Sequence, residues 1–276
     1  MRFFSGIRNA GVAGMFYPGE KMILERELSM LLEASPVWDF PRRIKAIIVP
    51  HAGYMYSGGV AARAYRQILG EKYDYVAVIA PSHHEYFNFI SVFNGSAFET
   101  PLGNVPVNKE LAKKLTQHHP LIKLSDKGHS RSEHSLEVQL PFLQWTLRKF
   151  ELIPISMGDQ EDKQITILAN ALAKVLPAEQ SLIVASSDLS HFYHDSVARK
   201  LDQIAQDDIA EFDEDKLLED IRRNRTEMCG FGPVIAAMKA ARELGASEAK
   251  VLLYRNSGDI TADRDQVVGY LSAVLY

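Results

Sequence analysis

Apolar positions along the chain follow two rhythms. Leu24, Leu28, Leu31 and Leu32 recur at helical spacing and predict a helix from Glu20 to about Glu33, ended by Pro36 and Pro41. Residues 44–49 (IKAIIV) are a short unbroken apolar run, the pattern of a strand buried on both faces. Gly58 and Gly59 open a helix, VAARAYRQIL, that Gly70 stops. Residues 73–80 predict a second strand and 89–93 a short third one. Asn108 is placed to cap the helix KELAKKL.

The segment DKGHSRSEHSLEVQLPFLQWTLRKF predicts a loop becoming a long helix. Leu136, Leu140 and Leu143 share one face of it, and Pro141 is expected to kink or divide it. Strand ELIPIS, helix KQITILANALAKVL and strand SLIVAS follow. Residues 195–222 predict helix, with DDIAEFDEDKLLED as a solvated acidic face. Pro233 starts a helix, VIAAMKAARELG, and strands KVLLYR and QVVGYLSAVL close the chain. No crossover helix fits between these last two, so they pair antiparallel at an edge or join a mixed sheet. Strand and helix otherwise alternate, which predicts a three-layer α/β/α fold around a mostly parallel or mixed sheet. Without a linker, repeat or low-complexity stretch, residues 1–276 are expected to form one α/β domain.

Composition narrows the class. Apolar residues are 46% and charged residues 24%, ordinary for a soluble globular protein. The net charge of -4 and the lack of a basic tract speak against nucleic acid as a partner. Cys229 is the sole cysteine, so no internal disulfide forms, and a reducing compartment fits. The amino-terminal MRFFSGIRNAG is too short in apolar run for a secretory signal, and no stretch reaches the ~18 apolar residues of a membrane span. A cytoplasmic protein with no membrane partner is the expectation. The oligomeric state is left open.

Three apolar strands run directly into residues that bind metals or move protons: His51, the pair His83 and His84, and the pair Asp188 and His191. In open α/β sheets ligands bind beyond the carboxyl ends of the strands, so these residues are expected to meet. Each can also be a packed or solvent-facing residue. His83 and His84 point to opposite faces of an extended backbone, so one is expected to face the pocket while the other packs or hydrogen-bonds beside it. In SSDLSH, a helical turn would let Asp188 orient His191 as a general base. Tyr54 and Tyr56, in AGYMYSGG, offer hydroxyls to a polar substrate, whereas no GxxxxGK[ST] loop is present and no nucleotide cofactor is expected. Glu133, His134 and Glu137 sit near a helix start as ligands, acid/base groups or supporting partners, or as plain capping and surface salt-linking residues; HExxH is absent. Phe87 and Phe231 line the pocket or belong to the core. Cys229, just before the helix at Pro233, is a thiolate candidate on helix-dipole grounds, or a buried structural cysteine.

The blocks AGMFYPG, PHAGYMYSG, PSHH, EHSLEVQLPFLQ, SSDLSH and CGFGP run in order across nearly the whole chain. Together they resemble the Memo family, named for a mediator of cell motility. The resemblance implies a fold similar to the LigB-type class III extradiol dioxygenases, which are non-haem iron enzymes. It also implies a pocket in place of the dioxygenase iron site. Carried over by motif, His51, His83 and Cys229 are the implied metal ligands, with Asp188 and His191 beside them. A carboxylate is the third iron ligand in the dioxygenases, and Cys229 takes its place here. Thiolate plus two imidazoles suits iron or copper, and zinc as well.

Three functions follow as expectations. The first is an iron- or copper-dependent oxidoreductase. The second is a metal-independent hydrolase or transferase with Cys229 as nucleophile. The third is a non-enzymatic scaffold whose dioxygenase-like pocket binds a peptide or protein. The partner is accordingly a small molecule or a peptide.

Overall fold

The computed structural model describes residues 6–276. Residues 1–5, on which part of the reading of the amino-terminal stretch rests, lie outside the described residues.

A short strand β1 (Ile7–Arg8) precedes helix α1 (Lys21–Glu33), whose Leu24, Leu28 and Leu32 are buried. Strand β2 (Ala46–Val49) is buried throughout. One π turn (Tyr54–Gly58) then leads into α2 (Gly59–Gln67). Strand β3 (Tyr75–Pro81) is followed by β4 (Ile90–Phe93), β5 (Ala97–Thr100) and β6 (Gly103–Pro106). Helix α3 (Lys109–His118) starts where Asn108 accepts the Leu111 N–H, as its sequence predicts, and β7 (Ile122–Ser125) comes next.

The long helix expected after Glu133 is not formed. Residues 131–136 are turns and irregular chain, Glu137–Gln139 make one 3-10 turn, and α4 spans only Leu140–Leu147. Pro141 sits in the first turn of α4, where its missing N–H costs nothing, so it starts the helix and kinks nothing. Strand β8 (Glu151–Met157), helix α5 (Asp162–Val175), strand β9 (Ser181–Ser186) and the short β10 (His191–Tyr193) follow. The acidic stretch is two helices, α6 (Asp195–Ala210) and α7 (Glu214–Arg222). They break where Phe212 adopts a φ of 54° and Asp213 caps α7 by accepting the Lys216 N–H. Helix α8 (Phe231–Glu243), strand β11 (Ala249–Asn256), a turn of helix α9 (Gly258–Thr261) and β12 (Val267–Leu275) complete the chain.

The main sheet has nine strands in the order β10-β12-β2-β9-β3-β8-β4-β7, with β11 also paired to β12. Strands β2, β9, β3 and β8 run parallel, while β12 is antiparallel to β2 and β4 is antiparallel to β8. The sheet is therefore mixed around a parallel centre, and β11 and β12 pair antiparallel. Strands β1, β5 and β6 form a separate small sheet in the order β1-β5-β6.

Alternation along the central strands builds the layers. Ala46, Ile48, Ala77, Ile79, Ile183 and Ala185 face a core shared with α5 and α8. Ile47, Val49, Val76, Val78, Leu182 and Val184 face the opposite core, with α1, α2 and α4. Apolar on both faces, these strands are held in the middle of the sandwich. Among the described residues no helix is long and apolar enough to cross a membrane.

Because β9 lies between β2 and β3, with all three parallel, their carboxyl ends open side by side. Val49 is opposite Ser186, and Ile79 is opposite Ala185. Residues 50–51, 81–83 and 186–188 must therefore emerge together at one edge.

Candidate metal centre

His51 leaves β2 after Pro50 and is fully buried, at 2% exposure. Its backbone N–H donates to Asp188 Oδ1 at 2.8 Å, which pins the turn. Its Nδ1 lies 2.9 Å from Ser186 Oγ. The Ser186 hydroxyl has one proton, which it donates to the Ser135 carbonyl at 2.6 Å. It can only accept from its other neighbours, Gln139 Nε2 at 2.9 Å and His51 Nδ1. His51 is thus the Nδ1–H tautomer, and Nε2 carries a lone pair. That nitrogen stands 3.2 Å from Cys229 Sγ. Burial, then the neighbouring imidazoles His83 and His134, push the His51 pKa well down, so the ring stays neutral.

His83 follows β3 and is held by Glu133 at two points. Its backbone N–H donates to Glu133 Oε2 at 2.6 Å, and its Nδ1 lies 2.9 Å from Oε1. Ser135 adds its N–H and hydroxyl to Oε1 at 3.1 and 2.7 Å. Burial alone would raise the Glu133 pKa, but these donors outweigh it and hold the carboxyl well below the usual range. For His83, burial lowers the pKa, but Glu133 overcomes this and raises it. The Nδ1 proton is therefore tied to Glu133, which leaves Nε2 as the free ring nitrogen of His83. His51 and His83 meet edge to face, with ring centroids 5.1 Å apart. His134 stacks on His83 at 4.8 Å and against Phe16 at 4.5 Å, and burial, then His83, push its pKa down to about 4.

Cys229 precedes Gly230, the residue before α8. Its own N–H donates to the Asp188 carbonyl at 3.2 Å, and its sulfur accepts the Asp188 N–H at 3.3 Å. A Cβ at Gly230 would lie 2.4 Å from the Ser186 carbonyl, so only glycine lets this loop approach β9. The helix start does not lower the thiol pKa as expected. Burial, and then the charge of Asp188, push it up, and the metal-free sulfur keeps its proton.

The reading of Asp188 as the partner of His191 is corrected. Residues 187–190 are not helical, and His191 opens β10. Asp188 is committed to the N–H groups of His51 and Ala52, and burial raises its pKa to about 7 against these bonds. His191 instead has Glu227: its N–H donates to Oε1 at 3.2 Å, and its Nδ1 is 3.7 Å from that oxygen. Burial lowers the His191 pKa.

Other candidates separate cleanly. His84 is exposed beside the site. Tyr54 is core, not pocket: its hydroxyl donates to the Val138 carbonyl at 2.7 Å, and its ring packs between Tyr17 and Phe142. Tyr56 is half-buried. Glu137, fully buried, is spent on Arg8, accepting also from Gly11, Val12 and Tyr17, and makes no hydrogen bond to the imidazoles. Phe87 is core at 6% exposure, while Phe231 is half-buried at the start of α8. Ser186, Phe16 and Gln139 were not anticipated. Ser186 stood in the SSDLSH block, where only the acid and the imidazole were singled out.

Donor atoms of His51, His83 and Cys229 all lie within 4.8 Å of one another, and so do those of His83, Glu133 and His134. The first set suits a metal better. Its two imidazoles have their Nδ1 atoms anchored by Ser186 and Glu133, the arrangement that orients metal-binding histidines. In the second set Glu133 is already spent on His83 and Ser135. Two nitrogens and one sulfur suit iron, copper or zinc.

Comparison with known proteins agrees with the motif reading. The family described as Memo-like protein matches residues 8–274. A MEMO1 family protein of Aquifex aeolicus is 38% identical over 270 residues, covering 97% of this chain and 98% of the relative. One from Methanosarcina mazei is 36% identical over 272 residues, covering 98% and 99%. A crystal structure of an uncharacterised protein from Escherichia coli K12 has a TM-score of 0.51 at 12% identity, covering 85% of this chain and 100% of that one, which shows likeness of fold alone. This chain belongs to the Memo family.

Proposed function

We propose that this protein holds one transition-metal ion, iron or copper, on His51 Nε2, His83 Nε2 and Cys229 Sγ, and that the centre serves an oxidoreductase. The carrying observation is the Ser186 hydrogen-bond arrangement, which leaves the His51 lone pair facing a sulfur 3.2 Å away. A bound ion would supply redox and Lewis-acid chemistry at that point. Zinc fits the same donors but brings no redox step.

The chain's own groups have definite tasks in this reading. Glu133 and Ser186 hold the two imidazoles in one tautomer each. Cys229 would give up its proton to hold an ion, so uptake would be favoured as pH rises. Asp188 anchors the His51 turn through backbone N–H groups. His191, neutral near pH 7, stands as the base that accepts a proton from a small-molecule or peptide substrate. A metal-free thiol nucleophile is disfavoured, because burial and Asp188 keep Cys229 protonated.

A second reading, binding of a peptide or protein without turnover, is favoured by exposed apolar side chains close in sequence to the three histidines. Met55 (71% exposed), Tyr86 (78%) and Phe192 (69%) follow closely on His51, His83 and His191. Such binding would persist in Cys229→Ser.

The test is the metal content of untagged protein purified anaerobically, beside His51→Ala and Cys229→Ser. Near-stoichiometric iron or copper in the wild type, lost from both variants, supports the redox centre. Full metal retention in His51→Ala rejects it.

A further inference from the structure

Strand β11 is an open edge of the main sheet. Along Ala273–Leu275, β12 pairs with β2 on one side and with β11 on the other, and no further strand among the described residues pairs with β11. Helices α2 and α6 pack on its faces. Even so, residues 249–254 are all half-buried and Arg255 is exposed, whereas β2 and β9 are buried throughout. The exposure therefore comes from the side of the strand that has no neighbour, along eight residues or about 26 Å.

The backbone on that side has groups to offer. Glu248 exchanges both backbone bonds with Tyr276, at 3.1 and 2.9 Å, and Ser257 donates to the Val268 carbonyl at 2.9 Å. In between, the register shifts by one residue between Val251 and Leu253. Alternation then turns the N–H and C=O of Ala249, Val251 and Tyr254 away from β12. The Asn256 N–H also points away, but it donates to Asp259 Oδ2 at 3.0 Å.

One face of this edge is basic. Ala249, Val251 and Tyr254 pack towards the core of α5 and α8, and Leu252 towards that of α1, α2 and α4. Lys250 and Arg255 share the α2 face with Leu252. Lys250 Nζ lies 5.5 Å from the Trp38 ring. Arg255 stands close enough to Arg63 of α2 that its charge adds to burial in lowering the Arg63 pKa. None of these three cations has an ion-pair partner among the described residues. On a chain of net charge -4 they are a local surplus, and two of them repel each other. A second copy does not relieve this. Antiparallel pairing of two β11 strands about a two-fold axis would bring both sets of cations to one face.

We propose that β11 receives an acidic, extended peptide segment of a partner protein as an added strand, its backbone on Ala249, Val251 and Tyr254 and its carboxylates on Lys250, Arg255 and Arg63. On β12, Lys250 and Arg255 stand opposite Val274 and Tyr270, positions four apart. An added strand in the same frame carries acids at i and i+4, with an apolar residue at i+2 against Leu252 and Leu253. No residue of this surface belongs to the candidate metal centre.

Fluorescence anisotropy of the full chain with a labelled, end-blocked peptide, Thr-Glu-Thr-Val-Thr-Glu-Thr, tests this. The peptide should bind at or below roughly millimolar concentration. Two control peptides should bind at least about tenfold more weakly: one with lysine in place of both glutamates, and one N-methylated at its two central threonines, which removes donors to the edge. Arg255→Glu should weaken the acidic peptide about tenfold and favour the lysine one. Its unfolding midpoint should not fall, because Arg255 has no ion-pair partner to lose. Arg63→Gln should show a smaller loss, about threefold. Failure of the acidic peptide to bind overturns the proposal, as does equal binding of either control peptide or wild-type affinity in both variants. A chain that sediments as a dimer at the same concentrations, and as a monomer in Val251→Pro, would overturn it in favour of a second copy.

Discussion

Ser186 decides which nitrogen of His51 carries the proton. Its hydroxyl proton goes to the Ser135 carbonyl, so it can only accept from His51 Nδ1, and Nε2 is left facing Cys229. Ser186→Ala removes that constraint without touching a proposed metal donor. Metal affinity is expected to fall roughly 10–100-fold. Competition against a calibrated chelator reads it, and unchanged affinity would show that the hydroxyl does not set the tautomer.

Glu133→Gln tests the other imidazole. The carboxylate raises the His83 pKa against the effect of burial. With a neutral amide in its place, the His83 pKa should drop, and metal affinity should fall by about tenfold or more. An NMR titration of the metal-free imidazole and chelator competition give the two readouts. A His83 pKa that stays put would refute the electrostatic part.

Arg8 and Glu137 form a buried pair that ties the amino-terminal strand to the turn before α4. Glu137→Gln leaves the guanidinium unpaired and is expected to destabilise the fold by roughly 3–5 kcal/mol in urea unfolding. Arg8→Met should cost a similar amount, and the double variant less than the sum of the two. Strict additivity would mean that the residues act independently.

His129 should make the fold acid-sensitive. Burial first, with Arg8 adding to it, lowers its pKa from 6.5 to about 3, so the folded ring stays neutral where the unfolded one takes a proton. Above the unfolded pKa the residue contributes no pH dependence. As pH falls from there towards the folded pKa, the unfolded state gains protons and stability is lost. The loss should reach on the order of 2–3 kcal/mol by a pH of about 4.5. Comparing urea unfolding of wild type and His129→Gln at neutral and acid pH isolates this share. Equal acid sensitivity in both proteins would assign it to other groups.

Much of the fold was legible because its cause is local. An apolar run such as IKAIIV can only be a doubly buried strand or a helix fragment, and its length and flanks select the strand. The helix 137–147 region was misread because a helical stripe there is real but short. The 3-10 turn and the chain before it answer to Arg8 and Pro50, far away in sequence. The strand-end motifs likewise pointed to His51, His83, His84, Asp188 and His191 as a group, since parallel neighbouring strands bring their ends together, whereas Cys229 joined His51 and His83 only through the family resemblance.

The chain's residues by themselves determined the layered α/β plan, the edge where chemistry gathers and the family. Tertiary structure alone decided how each polar side chain is used. It turned His83 rather than His84 towards the site, gave Asp188 to the His51 turn and Glu227 to His191, and took Glu137 out of the site to meet Arg8. The reason is range. Hydrophobic periodicity is set by neighbours a few residues apart, whereas a hydrogen bond takes whichever partner the fold delivers. Here that partner is 135 residues away for His51 and Ser186 and 129 for Arg8 and Glu137.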